Sequence, residues 1–336
     1  MPAITGTYVR TLDVSFTTIQ ITITRDQSPT SLDAKREPRN LLTVIALLKY
    51  HKLRKHPTTA FVLSLSISDL FFCAVNMPLT AIRFHHQQWT LGEGLCKVFP
   101  VFFYGNVAVS VLSMVGLTLN RFTLILHPSR YPKIYTPISL ALQLFGIWAF
   151  SFGIMLLPLF EIWGRLGLDE ETFSCTILKK DDSSPKKFIF LFGVLVPCIV
   201  ISISYSCIFY TVHKQRAKVK AHSASGSGRI ESFFRNKEDC RLTVTLLTIY
   251  LCFLICFMPL MLANVIDDDG SHANLHVFAS VLAWMSAVIN PFIYAIGSQN
   301  YRHAYTKLLS EMCFWKTSVE LRSFDEINKS RTVDHL

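Results

Sequence analysis

Charge is scarce in this sequence. Asp, Glu, Lys and Arg make up 17% of its 336 residues while hydrophobic residues make up 51%, whereas charged residues are roughly a quarter of an ordinary soluble domain. So little polar surface cannot cover that much apolar side chain in water, and lipid must be the solvent for much of the chain. Local patterns of common catalysts are also missing. There is no H-E-x-x-H, no G-x-S-x-G and no P-loop, and no acidic pair lies inside an apolar block, which excludes the common enzyme readings. No cluster has metal-ligand spacing: His85 and His86 have no further ligands within useful reach. Residues 1–38 hold Arg10, Asp13, Arg25 and Asp26 among many threonines, with no apolar core for a signal peptide or a span. No inverted repeat of paired half-helices appears, which argues against a transporter or channel.

What is present is a series of long apolar blocks. A hydrocarbon core about 30 Å thick takes roughly 20 residues of helix, and helix is required because backbone groups cannot stay unpaired in lipid. Six blocks reach that length: Thr59 to Ile82, Leu95 to Leu126, Pro137 to Phe160, Phe188 to Val212, Leu242 to Ile266 and His272 to Gly297. Upstream, Leu41 to Leu48 is apolar for only eight residues behind the charged run Lys35, Arg36, Glu37 and Arg39, so a helix there is expected to be about half a span.

The net charge of +10 could suggest nucleic acid, but the basic residues are divided among the short runs between blocks. Lys49, Lys52, Arg54 and Lys55, then Arg121, Arg130 and Lys133, then Lys214, Arg216, Lys218 and Lys220 mark cytoplasmic runs, and Glu93, Asp169 to Glu171 and Asp267 to Asp269 mark outer ones. The C-terminus is therefore expected in the cytoplasm. Lys218 to Arg229 reads as a flexible linker. Tyr301 to Phe314 reads as an amphipathic helix on the membrane surface, with Cys313 placed for palmitoylation, and 316–336 as a polar, disordered tail.

Polar residues inside the blocks are few and stand out. Asp69 lies in L-S-L-S-I-S-D-L-F-F, where a carboxylate must meet water, a cation or polar partners. Asn106 and Ser110, and Ser286 and Asn290, each one helical turn apart, are the partners expected at matching depth; together they form either a pocket for a small hydrated cation or a structural hydrogen-bond cluster. Asn120-Arg121-Phe122 closes the second block, and Asn290-Pro291-Phe292-Ile293-Tyr294 lies near the inner end of the last, where Pro291 removes a backbone bond.

Taken in order, these landmarks resemble the rhodopsin-like G-protein-coupled receptors: Asn40, Asp69, Arg121, Trp148, Pro197, Pro259 and Pro291, one on each helix. The match covers roughly residues 40–314. The Asn-Arg pair and the run H-P-S-R-Y-P-K-I-Y are similar to insect orphan receptors of the trapped in endoderm and moody type, in the melatonin-receptor neighbourhood. The resemblance implies an all-α, membrane-embedded seven-transmembrane helix bundle with a short amphipathic eighth helix and a first helix that looks truncated. It divides the chain into a polar segment 1–38, a receptor domain 39–315 and the tail. It further implies a disulfide between Cys96 and Cys175, a sodium ion near Asp69, and an activation switch made of Arg121, Asp239, Tyr205, Phe257, Pro259, Asn290, Pro291 and Tyr294, with Arg121 and Asp239 paired at rest.

Three departures from the family pattern are visible. The residue before Arg121 is neutral Asn120 in place of an acid, so one restraint on Arg121 is expected to be absent. Phe257 stands where a Trp is common, and Arg39 where a Gly is common. A ligand pocket is expected among Phe103, Asn106, Val107, Phe190, Phe257, Met261, Asn264, His276, Ser280 and Trp284. Phe103 stands where amine receptors carry an Asp, so the pocket suits a lipid or a small apolar molecule over an amine. The implied partners are a heterotrimeric G protein and arrestin at the cytoplasmic face of a multi-pass plasma-membrane protein, with its N-terminus outside if the first helix spans. The implied role is in cell migration or epithelial and glial barrier development. The alternatives are a signalling-deficient splice or gene-model variant of such a receptor, expected to fold less stably than a full-length form, and an ion transporter or channel.

Overall fold

The computed structural model describes residues 39–311 apart from 55, 87, 171–173, 182, 184, 222–228 and 267–272. The expectations for segment 1–38, Cys313 and the tail lie outside these residues. Seven helices form the bundle. α1 is Arg39–Lys49. α2 runs through Thr58–Phe71, a wide π turn Phe72–Asn76, and Met77–His86. α3 is Glu93–Leu126 and α4 is Pro137–Gly153. α5 runs through Lys186–Phe190, a second π turn Leu191–Leu195, and Val196–Ala221. α6 is Arg229–Ile266 and α7 is Ala273–Gly297. An eighth helix, α8, covers 299–311.

Six of these are long and apolar enough to cross a membrane. The described part of α1 has 11 residues, or about 16 Å of helix. Two sequence boundaries are refined. The third apolar block spans as expected, over Pro137–Leu159, but with a break: α4 ends at Gly153, and Leu156–Leu159 forms a further turn. The linker expected over Lys218 to Arg229 is narrower, because α5 remains helical to Ala221 and α6 begins at Arg229.

Local chemistry explains several helix ends. Gly92 turns the chain with φ +83° before α3, and Glu93 then places a negative charge in its first turn. Thr136 caps α4 by accepting from the Ser139 N–H, with Pro137 at the first helical position. Inside the spans, hydroxyls bond back to their own helix: Thr118 to the Met114 carbonyl, Ser204 to Val200, and Thr245 to Arg241. A serine or threonine thereby sits in an apolar span without an unsatisfied group.

The main core lies between α2, α3, α5, α6 and α7, around Phe61, Leu65, Met114, Ile201, Ile249 and Tyr294. α4 is peripheral: Ile138, Leu142 and Phe145 on it are more than 60% exposed, as suits a lipid-facing helix. It is held by Trp148, whose indole N–H donates to Ser64 Oγ at 3.0 Å while Ser64 meets Ser113 at 2.9 Å. At Gly116, a Cβ would run into the Phe61 ring, so glycine sets the approach of α2 to α3.

One element escaped the sequence reading. The outer loop between α4 and α5 folds into an antiparallel hairpin, β1 (Arg165–Asp169) with β2 (Ser174–Leu178), pairing Leu166 with Ile177 and Leu168 with Cys175. Leu166 and Ile177 pack onto Val101 and Met155, which seats the hairpin on α3 and the end of α4.

Candidate functional site

The polar centre of the bundle forms around Asp69, which is 3% exposed. Asn290 Nδ2 donates to Asp69 Oδ2 at 2.6 Å, and Ser110 Oγ approaches Oδ1 at 3.5 Å. Ser68, which the sequence reading passed over, joins the group: its hydroxyl donates to the Asn106 carbonyl at 3.0 Å and receives Ser110 Oγ at 3.2 Å. The buried Nδ2 of Asn106 has no hydrogen-bond partner among the described residues. Ser286 does not bond Asp69 as the sequence suggested; it turns back to the Ala283 carbonyl at 2.6 Å, the usual way for a helix serine to satisfy itself. It nevertheless lines, with Asp69, Ser110, Asn290, Val107 and Phe257, a cavity of about 30 Å³. That is room for one or two water-sized species.

At the inner end, Arg121 is 2% exposed and is the largest fully buried side chain described. Tyr205 of α5 lies beside Thr118, with Arg121 nearby. Tyr301 of α8 lies beside Thr59, also close to Arg121. Tyr294 is fully buried, stacks on Tyr301 with ring centres 5.1 Å apart, and has no partner for its hydroxyl among the described residues. The structure thus brings Arg121, Tyr205 and Tyr294 into one layer and adds Tyr301, which its sequence context marked only as part of an amphipathic helix. Phe257 stacks on Phe253 at 5.0 Å, two residues before Pro259 inside α6. Asp239 lies in α6, but its side chain lies outside the described residues.

The expected ligand residues divide into two groups. Phe103, Val107 and Trp284 pack with Phe72 between α2, α3 and α7. Phe190 and Met261 belong to the main core on the α5 and α6 side, and Phe190 meets the Tyr104 ring edge-on at 5.7 Å. Ser280 is half-buried, whereas the side chains of Asn264 and His276 lie outside the described residues. Above these groups the hairpin is tied down. Cys96 and Cys175 form a disulfide closing 79 residues, Tyr104 meets Thr176 at 2.8 Å, and Arg83 donates to Ser174.

A protein-family model described as 7 transmembrane receptor (rhodopsin family) matches residues 39–294. The chain belongs to this family. The receptor is 54% identical to Protein trapped in endoderm-1 of Drosophila melanogaster over 292 residues, 82% of this chain and 74% of that protein. It is 32% identical to the G-protein coupled receptor moody of the same species over 322 residues; the match covers 79% of this chain and 48% of moody, so it spans about half of that relative. The crystal structure of squid rhodopsin matches with a TM-score of 0.71 and 20% identity, over 80% of the receptor and 75% of that chain, which shows a shared fold. This is a class of multi-pass membrane receptors and not of enzymes.

The family landmarks of the receptor are engaged as structural joints. Asn40 Nδ2 donates to the Ala287 carbonyl at 2.8 Å, linking α1 to α7. Thr43 of α1 meets the Tyr305 hydroxyl of α8 at 2.8 Å. Lys49 pairs with Glu311 at 2.6 Å. This pair is exposed, and the Lys49 ammonium holds the Glu311 carboxyl below its usual range.

Proposed function

We propose that this receptor carries an extracellular signal across the plasma membrane to a heterotrimeric G protein, with its C-terminus and α8 in the cytoplasm. The observation that carries the proposal is the burial of Arg121 beside the Tyr205 and Tyr301 rings at the inner end of the bundle. A buried guanidinium is tolerated only while partners hold it, so a state that moves α6 outward exchanges those partners for groups of a docking protein. Pro259 and Pro291 weaken the helices at the levels where such a movement must start. The residues proposed to switch are Arg121, Tyr205, Phe257, Pro259, Asn290, Pro291 and Tyr294, with Asp239 as the resting partner of Arg121, and arrestin is proposed to use the same opening.

The outer pocket is proposed to take a lipid or a small apolar molecule. Phe72, Phe103, Val107 and Trp284 offer aromatic and aliphatic surface with no carboxylate among them. The donor set at the centre fits a sodium ion: Asp69 would supply charge, and Ser110 and Ser286 hydroxyl oxygens, around a cavity of suitable size. Kinship with the two insect receptors supports a role in guided cell migration or in epithelial and glial barrier development; animals lacking the receptor but normal in both would remove that role.

The deciding experiment uses purified receptor in nanodiscs. It is expected to accelerate nucleotide exchange on a heterotrimeric G protein above empty nanodiscs, and Arg121→Ala is expected to abolish the acceleration. Exchange that is untouched by Arg121→Ala would overturn the proposal.

A further inference from the structure

Among the described residues α6 packs more extensively against α7 than against any other helix. At the inner end Thr245 of α6 lies directly on Gly297, the last residue of α7. A Cβ added to Gly297 would stand 2.9 Å from Thr245 Cβ, and closer still to the Thr245 hydroxyl and methyl. Thr245 cannot turn aside. It is 3% exposed, its hydroxyl donates to the Arg241 carbonyl at 2.9 Å, and a β-branched residue keeps two heavy atoms on Cβ in every rotamer. The Cβ itself moves only with the backbone of α6.

The backbone at position 297 does not call for glycine. Gly297 is not among the glycines with positive φ, so the turn into α8 does not require one, and within a helix alanine is the more favourable residue. What alanine would lack is room. Tyr294, one turn earlier on α7, is the fully buried tyrosine stacked on Tyr301, so the bare contact of α6 with α7 lies beside the layer that holds Arg121.

We propose that Gly297 sets the resting balance of the receptor: by carrying no side chain it lets α6 close onto α7 at the inner end, and a methyl group there shifts the bundle toward its open state before any ligand binds. The proposal rests on the coupling read above and supplies its resting control. Its basis is a difference between two states. In the closed bundle the added methyl overlaps Thr245, whereas in a bundle with α6 moved outward the overlap is gone. The cost of overpacking therefore falls on one state only, and the populations shift by that difference.

The test uses purified receptor in nanodiscs without ligand and reads two quantities. One is nucleotide exchange on a heterotrimeric G protein; the other is the distance between spin-labelled non-natural residues placed at Arg241 of α6 and Arg302 of α8, both exposed. Gly297→Ala is expected to raise basal exchange about tenfold, the shift that a moderate overpacking penalty produces, and to add a longer spin–spin distance. Thr245→Ala alone removes atoms instead of adding them and should raise neither. Combined with Gly297→Ala it deletes the hydroxyl and methyl that overlap most, so the double variant should lose most of the rise, which independent effects would not do. If Gly297→Ala fails to reach the membrane, Thr245→Ile presses on the same contact from α6 and should raise exchange and distance alike. A longer distance with no exchange in any form would remove the coupling proposal and leave the closing contact standing. Exchange and distance that are unchanged or reduced in Gly297→Ala, or a double variant as active as Gly297→Ala, would overturn the role of Gly297.

Discussion

The outer end of the bundle is closed by a covalent bond, Cys96 to Cys175, under which Tyr104–Thr176 and Arg83–Ser174 hold the hairpin. The inner end has no counterpart among the described residues: Thr58–Asn120, Thr43–Tyr305 and Lys49–Glu311 are single hydrogen bonds or an exposed ion pair. Each of the two hydrogen bonds contributes about 1 kcal/mol and the exposed ion pair is screened by solvent, so these joints can break and reform on the time scale of a conformational change. A signalling bundle needs this asymmetry. Its outer end must keep a pocket in shape while its inner end opens.

The largest effect is expected from breaking the outer closure. Cys96→Ser releases a loop of 79 residues, worth about 4 kcal/mol by the chain-entropy argument; the expected outcome is loss of most surface receptor, measured by labelling intact cells. Surface levels equal to wild type would mean that the hairpin's hydrogen bonds suffice. Next is the centre, where the two halves meet. If sodium sits at Asp69, the thermal midpoint of the purified receptor should rise with sodium and not with an equal concentration of a bulky organic cation, and Asp69→Asn should remove that difference. An identical sodium response in Asp69→Asn would locate the ion elsewhere or dismiss it.

The smallest effect is expected at the inner rim. The Glu311 carboxyl is held below its usual range by Lys49, so the pair contributes above the usual carboxylate range and its contribution is lost as pH falls through the lowered value. Glu311→Gln should leave the thermal midpoint near pH 7 almost unchanged and should erase only that acid-side decline. A large loss at neutral pH would show that the inner joints are stronger than the comparison allows.

The spans were legible because hydrocarbon demands length and apolarity together, and blocks such as Leu95 to Leu126 satisfy both. Asp69 and Arg121 were legible for the same reason in reverse, as costly residues in apolar settings. Ser68 was not, since a helix serine usually satisfies itself on its own backbone, and only the approach of α3 reveals that this one bonds Asn106. Nor was the hairpin. R-L-G-L-D and S-C-T-I-L are short, one contains glycine, and their pairing depends on the surface of α3 beneath them. Asn120 was legible only as a missing charge, because its partners Thr58 and Tyr131 come from elements whose meeting no local pattern reports.

The π turn Phe72–Asn76 has a consequence for the outer part of α2. A π turn adds a residue to one turn of helix, and one added residue rotates everything beyond it by about 100°. Leu79 packs on α3 and Arg83 meets the hairpin only because of that added residue. Deleting one residue between Phe72 and Asn76 would let α2 continue as a regular helix, yet would swing Arg83 away from Ser174 and aim a different set of side chains at the pocket. Among kindred chains, ligand preference can therefore change through the length of a single helix, with every pocket residue type left as it was.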